Sequence, residues 1–398
     1  MRKSLTLAFV ILLALTPQAT AAPKPLVLKP ITVIGDAMGA ESALISGKTI
    51  ITYENIEGTS LDIKVMGRDL SGKVLWNTVI ESGSDEIATA ATLDSQGNIW
   101  IAGASSHAAI VETTTVVENP INIDGVVVET QSATRGDLNT LNVWQITPLG
   151  ETKTYLSLAM DSPLLVNGIS SSASGISLIA TSEAGSVLIS AKSDGSFTKP
   201  ITIGTSKTSL QLIHRNSDGS AHIFGSSSET LGGKKAVGAQ DGVLIKASPV
   251  GKIISVVRSS APKALRKWTS ATSTNFLAGT VVGSSTSEIA ITKFNATFAP
   301  TWTMRLQGVG NPIGINAGSG TFFVALQPKA LAAVPKWRPG KDQSAILSLS
   351  AKGLITAAYS APELGAVISA SYSKEAGVIL LAQKRGTSEV SIFYLNSK

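Results

Sequence analysis

IATAATLDSQGNIWIAG, residues 87–103, reads as strand, tight turn, strand. Ile87, Thr89, Ala91 and Leu93 alternate with Ala88, Ala90 and Thr92, the period of a pleated strand. Asp94-Ser95-Gln96-Gly97 has turn chemistry, with Gly97 free to take a positive φ. Residues 98–103 make a second, apolar strand. The small side chains of Ala88, Ala90 and Ala91 suit a crowded strand near an axis.

The same hairpin recurs along the chain. Its turns fall at Ser46-Gly47, Gln96-Gly97, Ser174-Gly175, Asp218-Gly219, Thr274-Asn275, Ser319-Gly320 and Ala376-Gly377, at spacings of 50, 78, 44, 56, 45 and 57 residues. Six carry Gly at one point and the other carries Asn, the next best residue for positive φ. Most copies precede a second short hairpin, such as residues 61–80, 141–159, 186–203, 242–259, 288–306 and 344–360. Two hairpins per unit make a four-stranded antiparallel blade. Units of this length repeated radially make an all-β propeller. Seven blades are expected, with six or eight as alternatives. The last copy ends after a third strand, SEVSIFYLN (388–396), while PLVLKPITVI (25–34) stands unmatched at the other end. Placing the N-terminal strand as the outer strand of the last blade closes the ring and satisfies an open edge.

GNIWIAG, with DGVLIKASPVGKI and KVLWNTVI, resembles the bacterial exported β-propeller repeat family, the SBBP-like repeats. The similarity runs over most of the chain, with full motifs only in the second and fourth copies. It implies a fold and little chemistry, because that family is defined by its architecture.

Arg2 and Lys3 precede an apolar run from Leu5 to Leu15, then Pro17 and Ala19-Thr20-Ala21. This pattern describes a secretory signal peptide over residues 1–21. It leaves residues 22–398 as a single propeller domain with an insertion at 104–139, expected in the cell envelope, the periplasm or the medium, as a monomer. No later stretch reaches the ~20 apolar residues of a membrane helix. Charged residues are 15% against 43% hydrophobic, which suits many short strands and argues against disorder. There is no cysteine, so thiol catalysis and thiolate metal sites are excluded. The net charge of +6 falls by two when Arg2 and Lys3 leave with the leader. So mild a charge does not point to nucleic acid, which calls for a dense basic stripe.

In a four-stranded blade, the first and third turns share one face of the ring. The middle loops and the blade connectors share the other. The long insertions, residues 104–139, 228–240 and 329–343, are all middle loops, so one face carries the elaboration, and binding resides on scaffold-borne loops. Asp124-Gly125 between β-branched runs predicts an extra hairpin there. The same face carries two basic-aromatic clusters: Lys263, Arg266, Lys267 and Trp268, and Lys336, Trp337, Arg338 and Lys341. Cations beside indoles suit an acidic glycan, a teichoic-type polymer or a protein partner. The competing explanation is ordinary solvated connectors, with Trp268 in the core between blades.

Asp94, Asp194 and Asp218 read as turn-forming acids, because a calcium site needs several oxygens from one loop. His214 and His222 lack further ligands in the sequence, and Trp76 reads as packing between blades, as do Tyr53, Trp100 and Phe322. GVGNPIG (308–314) lacks a following helix and reads as a loop. No catalytic residue, metal site or cofactor is expected. The leading expectation is a binding module; the alternative is an exported hydrolase or lyase with its site at the channel mouth.

Overall fold

The computed structural model describes residues 25–106 and 136–396. The leader at 1–21, most of the 104–139 insertion and its expected hairpin lie outside the described residues. Among the described residues there is no helix, and strands assemble into six sheets. Sheet I holds Ala40–Ser46, Thr49–Glu57, Leu61–Arg68 and Val74–Ile80. Sheet II holds Glu86–Leu93, Ile99–Ser105, Thr140–Ile146 and Thr152–Ala159. Sheet III runs from Leu164–Ser172 to Ile201–Ile203, and sheet IV from Thr208–Arg215 to Ile253–Ser259. Sheet V runs from Leu265–Ala271 to Ile355–Ser360, and sheet VI holds Leu364–Ser373, Gly377–Lys384 and Val390–Leu395. Each sheet packs on the next around an axis, and sheet VI returns to sheet I. There Ser369 and Ser371 accept the amides of Ala43 and Ile45 at 2.8 and 3.1 Å.

This is a β-propeller, but its blade count differs from the expected seven. Five sheets are four-stranded blades; sheet V is a single sheet of eight strands. The cause is Pro300–Asn316, a 17-residue strand that is outermost to the strands before it and innermost to those after it. Elsewhere a connector breaks the chain between outer and inner strands. Here GVGNPIG, expected as a loop, is extended backbone inside this strand, with Gly310 at φ 75° absorbing the irregularity between Val309 and Ile313.

Residues 25–34 divide between two sheets. Leu28–Pro30 adds parallel to Ile355–Ser360 at the edge of sheet V, and Thr32–Asp36 pairs antiparallel with Val390–Leu395 as the fourth strand of sheet VI. The chain's second strand and its last therefore share one blade, while its first strand lies at the edge of another sheet.

The alternation read at 87–93 breaks in the middle. Ala88 pairs with Gly103 and Ala90 with Ala102, so Thr89 is a β-bulge. Equivalent bulges fall at Asn167, Gln211 and Thr269. The bulged side chains bond the neighbouring blade: Thr89 Oγ1 donates to the Val166 carbonyl, Asn167 Nδ2 to that of Leu210 and Thr269 Oγ1 to that of Pro312. At Thr89, Gln211 and Thr269 the carbonyl two residues before the bulge lies close against the second strand, opposite a glycine; at Asn167 the facing residue is Ala180. A Cβ on Gly103 would lie 1.8 Å from the Ile87 carbonyl oxygen, and one on Gly279 2.0 Å from that of Lys267. This is the physical reason for the Ala-Gly pair in IWIAG.

On the face formed by the short turns, one contact repeats from sheet to sheet. An outer-strand side chain covers a glycine in the third-to-fourth-strand turn of the next blade. Trp76 covers Gly150 and, within sheet V itself, Trp302 covers Gly353, and their indole N–H groups donate to the carbonyls of Pro148 and Ala351 at 3.0 and 2.9 Å. Ile201 covers Gly251 in the same way, and Ile34 of the closing strand covers Gly72. A buried Arg215 adds a bridge between sheets IV and III, donating to Ser177 Oγ and to the carbonyls of Ser174 and Ile176.

Candidate functional site

The two basic-aromatic clusters lie on the loop face, on either side of the first half of sheet V. Lys263 is exposed in the connector from sheet IV, at φ 56°. Lys336, Arg338 and Lys341 are exposed in the 329–343 loop. Cross-strand register gives their separation: Arg266 pairs with Val281, Val281 with Glu288 and Glu288 with Gln307, whose carbonyl accepts the Lys329 amide. Three interstrand steps put about 14 Å between the backbones of Arg266 and Gln307. The gap contains Arg305, which is half-exposed and reaches Glu288 at 3.2 Å. Arg305 and Lys329 are two further exposed cations on this face.

The aromatic members differ from the cations. Trp268 is 1% exposed and lies in the core between sheets IV and V with Phe224, Leu277 and Phe294. Arg266, 6% exposed, stacks over that indole at 4.6 Å, and its Nε has no hydrogen-bond partner. Burial, with Arg305 nearby, pulls its pKa down to about 10. Lys267 is half-buried on the same strand. Trp337 is also half-buried, packed on the core cluster that contains Phe322 and Val324.

The described loops of this face are pinned structures. Asp241, 0% exposed, accepts the amides of Val237 and Gly238 at 2.9 Å and meets Arg258 at 3.4 Å. Arg258 in turn donates to the carbonyls of Ser227, Glu229 and Lys234. Burial raises the Asp241 pKa, but the two amides, Ser260 and Arg258 outweigh it, and the carboxyl ends below its ordinary value. The 329–343 loop is pinned by buried Leu331 and Val334, and the Ala333 carbonyl accepts the Leu26 amide. Spacing alone did not reveal either anchor, since both depend on partners across a sheet.

Two larger hollows lie elsewhere. The central channel, about 520 Å³, is walled by the inner strands, including Thr89, Asn167, His214 and Thr269. The side chains of Thr89, Asn167, Thr269 and Ser369 in its wall donate across to the neighbouring inner strand. A second hollow of about 500 Å³ opens on the turn face between sheets II and III. Trp100, expected in the core, is half-buried and lines this cleft; Tyr53 and Phe322 are buried.

Asp94, Asp194 and Asp218 each accept the amide two residues ahead, at 2.8–2.9 Å, which is turn chemistry. His214 and His222 are cross-strand partners, and His222 Nδ1 lies 3.1 Å from Asn275 Oδ1. Among the described residues no three His, Asp or Glu side chains gather as a metal site.

No family model and no curated protein sequence matches this chain. Among solved structures it is similar to the WD40 domain from Toxoplasma gondii coronin, at 12% identity and TM-score 0.51, over 94% of this chain and 89% of that one. It is also similar to the β-propeller domain of the Trilobed protease from Pyrococcus furiosus, at 7% identity and TM-score 0.52, over 90% and 95%. At these identities the likeness is one of fold.

Proposed function

We propose that this chain is an exported, envelope-associated propeller that binds an anionic polymer through its loop face. Propellers commonly serve as interaction scaffolds, with the specificity placed in the loops that the ring displays. One observation carries the reading. Lys263, Arg305, Lys329, Lys336, Arg338 and Lys341 are exposed cations on this one face, which we read as a strip; of the acids beside them Glu288 is held by Arg305 and Asp342 is exposed. A strip of this kind attracts a flexible polyanion along its length. The buried Arg266 beneath it adds a positive charge whose Nε is unmatched by any protein acceptor. Export rests on the Arg2-Lys3 start and the apolar run that follows, and the likeness to SBBP-like repeats agrees with it.

The strip is tested with immobilised wall teichoic acid at low salt. Lys336→Ala with Trp337→Ala should weaken retention several-fold, and added salt should release the unaltered protein, because contacts between exposed charges are screened. Retention that is unchanged in the double variant overturns the proposal.

A further inference from the structure

The cleft between sheets II and III is independent of the strip and lies on the opposite face. Its walls come from the Asp94 turn and the strands of sheet II on one side, and from the 172–175 and 192–195 turns of sheet III on the other. A volume of about 500 Å³ lies within the usual range for small-molecule sites, about 300–1,000 Å³.

Asp94 organises the sheet II wall. Its Oδ1 accepts the amides of Gln96 and Asn98, both at 2.9 Å. Its Oδ2 accepts Asn98 Nδ2 at 2.9 Å, and Trp100 Nε1 and Gln145 Nε2 at 3.2 Å each. Burial pushes the Asp94 pKa up, but these donors more than offset it, and the carboxyl stays below its ordinary value. An ionised carboxylate with five donors has little acceptor capacity left for a ligand. It acts as a positioning residue. The indole N–H is satisfied inside the protein, so the ring is fixed and its surface is what the cleft can use. The Gln145 amide is held at both ends, since its Oε1 accepts Thr154 Oγ1 at 3.0 Å. It keeps one N–H and one lone pair.

Across the cleft, Lys192 and Asp194 are exposed at the rim and offset each other in charge. With the ionised Asp94 the lining carries one net negative charge, which disfavours an anion, and the five donors on Asp94 leave that carboxylate little capacity to pair with a cation. What remains is a fixed indole, the Leu156 side chain, an oriented amide and several hydroxyls. A pyranose has the matching pattern: C–H groups on one face for the indole, and hydroxyls that both donate and accept for the amide and the threonine. We infer that this cleft binds a neutral hexose unit of a polysaccharide, with Trp100 as its stacking platform and Gln145 and Thr154 as its hydrogen-bonding wall.

The probes are cellohexaose, maltohexaose, laminarihexaose and chitohexaose, titrated calorimetrically against the full protein. At least one should bind with a Kd of about 1 mM or tighter. Raising the salt should not weaken it, which separates this site from the cationic strip. Trp100→Ala should reduce the affinity about tenfold or more. Because Trp100 also packs on the core, a second variant is needed. Ala173→Trp sits on an exposed turn at the cleft mouth and fills the space without disturbing the sheet. It should melt as the parent does and lose binding to the same extent, while Trp337→Ala should bind as the parent does. Failure of all four sugars to bind, or full binding by a folded Ala173→Trp protein, overturns the inference.

Discussion

The two faces of this ring are built on different principles. On the turn face one contact is used repeatedly: an outer-strand side chain over a neighbour's turn glycine, at Gly72, Gly150, Gly251 and Gly353. On the loop face each described segment has its own anchor. Residues 228–240 depend on Asp241 and Arg258, and the 329–343 loop on Leu331 and Val334. A repeated contact holds the ring together as a whole and leaves little room for elaboration. Individual anchors let each loop be long without being loose. Gly195 of sheet III keeps the rule, lying under Leu156 of sheet II, and the cleft opens beside that contact. One turn departs from the rule. In the third-to-fourth-strand turn of Pro300's neighbouring strand, Phe298 takes a left-handed φ of 60° and packs into the core against Phe224, with His222 4.9 Å away.

The largest effect should come from the loop face. Arg258→Met leaves Asp241 ionised, buried and without its cation, which costs about 3–5 kcal/mol. Denaturant unfolding reads the loss, and hydrogen exchange should quicken first in residues 228–240. An unchanged midpoint would mean that the loop has no single anchor. On the turn face, Gly150→Ala combines a φ of 89° with a Cβ 2.5 Å from Trp76. The left-handed conformation and the overpacking together predict about 2–4 kcal/mol. A cost near zero would show that the repeated contact is not structural. Asp94→Ala should cost about 1–3 kcal/mol, since it strands the Trp100 N–H and the Gln145 amide. It should also weaken sugar binding while leaving retention on teichoic acid unchanged.

The smallest effect is a pH slope. Burial lowers the pKa of His214 and His222 below the usual 6.5, and the cations of His222 and Lys246 respectively add to the depression. The folded state then binds fewer protons than the unfolded chain, so stability is complete above pH 6.5 and falls as pH drops through the lowered values. Asp94 and Asp241 also have lowered values, so their contribution is present above 3.8 and is lost on further acidification. Melting temperature should therefore decline in two stages as pH falls, and His222→Gln should reduce the first stage only.

Much of the architecture was legible in local residues. Glycine at Gly97 and Gly219, with an Asp three residues before the first and one before the second, marks turns because few residues tolerate positive φ. Trp76 on an outer strand was readable as a contact between blades. The position of Trp268 was readable only as one of two possibilities, because indole next to arginine suits both a core and a binding patch. Its burial follows from Phe224, Phe294 and Phe298, which lie on strands and turns remote in the chain. The bulge at Thr89 was invisible, because an extra residue in one strand is defined only by the register of its partner.

The amino-acid sequence by itself determined that this is a ring of repeated β-hairpins with one plain and one elaborated face. Strand period, turn glycines and loop lengths are local properties, and local properties are written in order along the chain. Only the tertiary structure decided how the strands divide into sheets, which cations stay in water and where a cleft opens. Those outcomes depend on distances between segments: the unbroken strand through Gly308–Gly310, the row from Arg266 to Gln307, and the cleft beside Leu156 between sheets II and III.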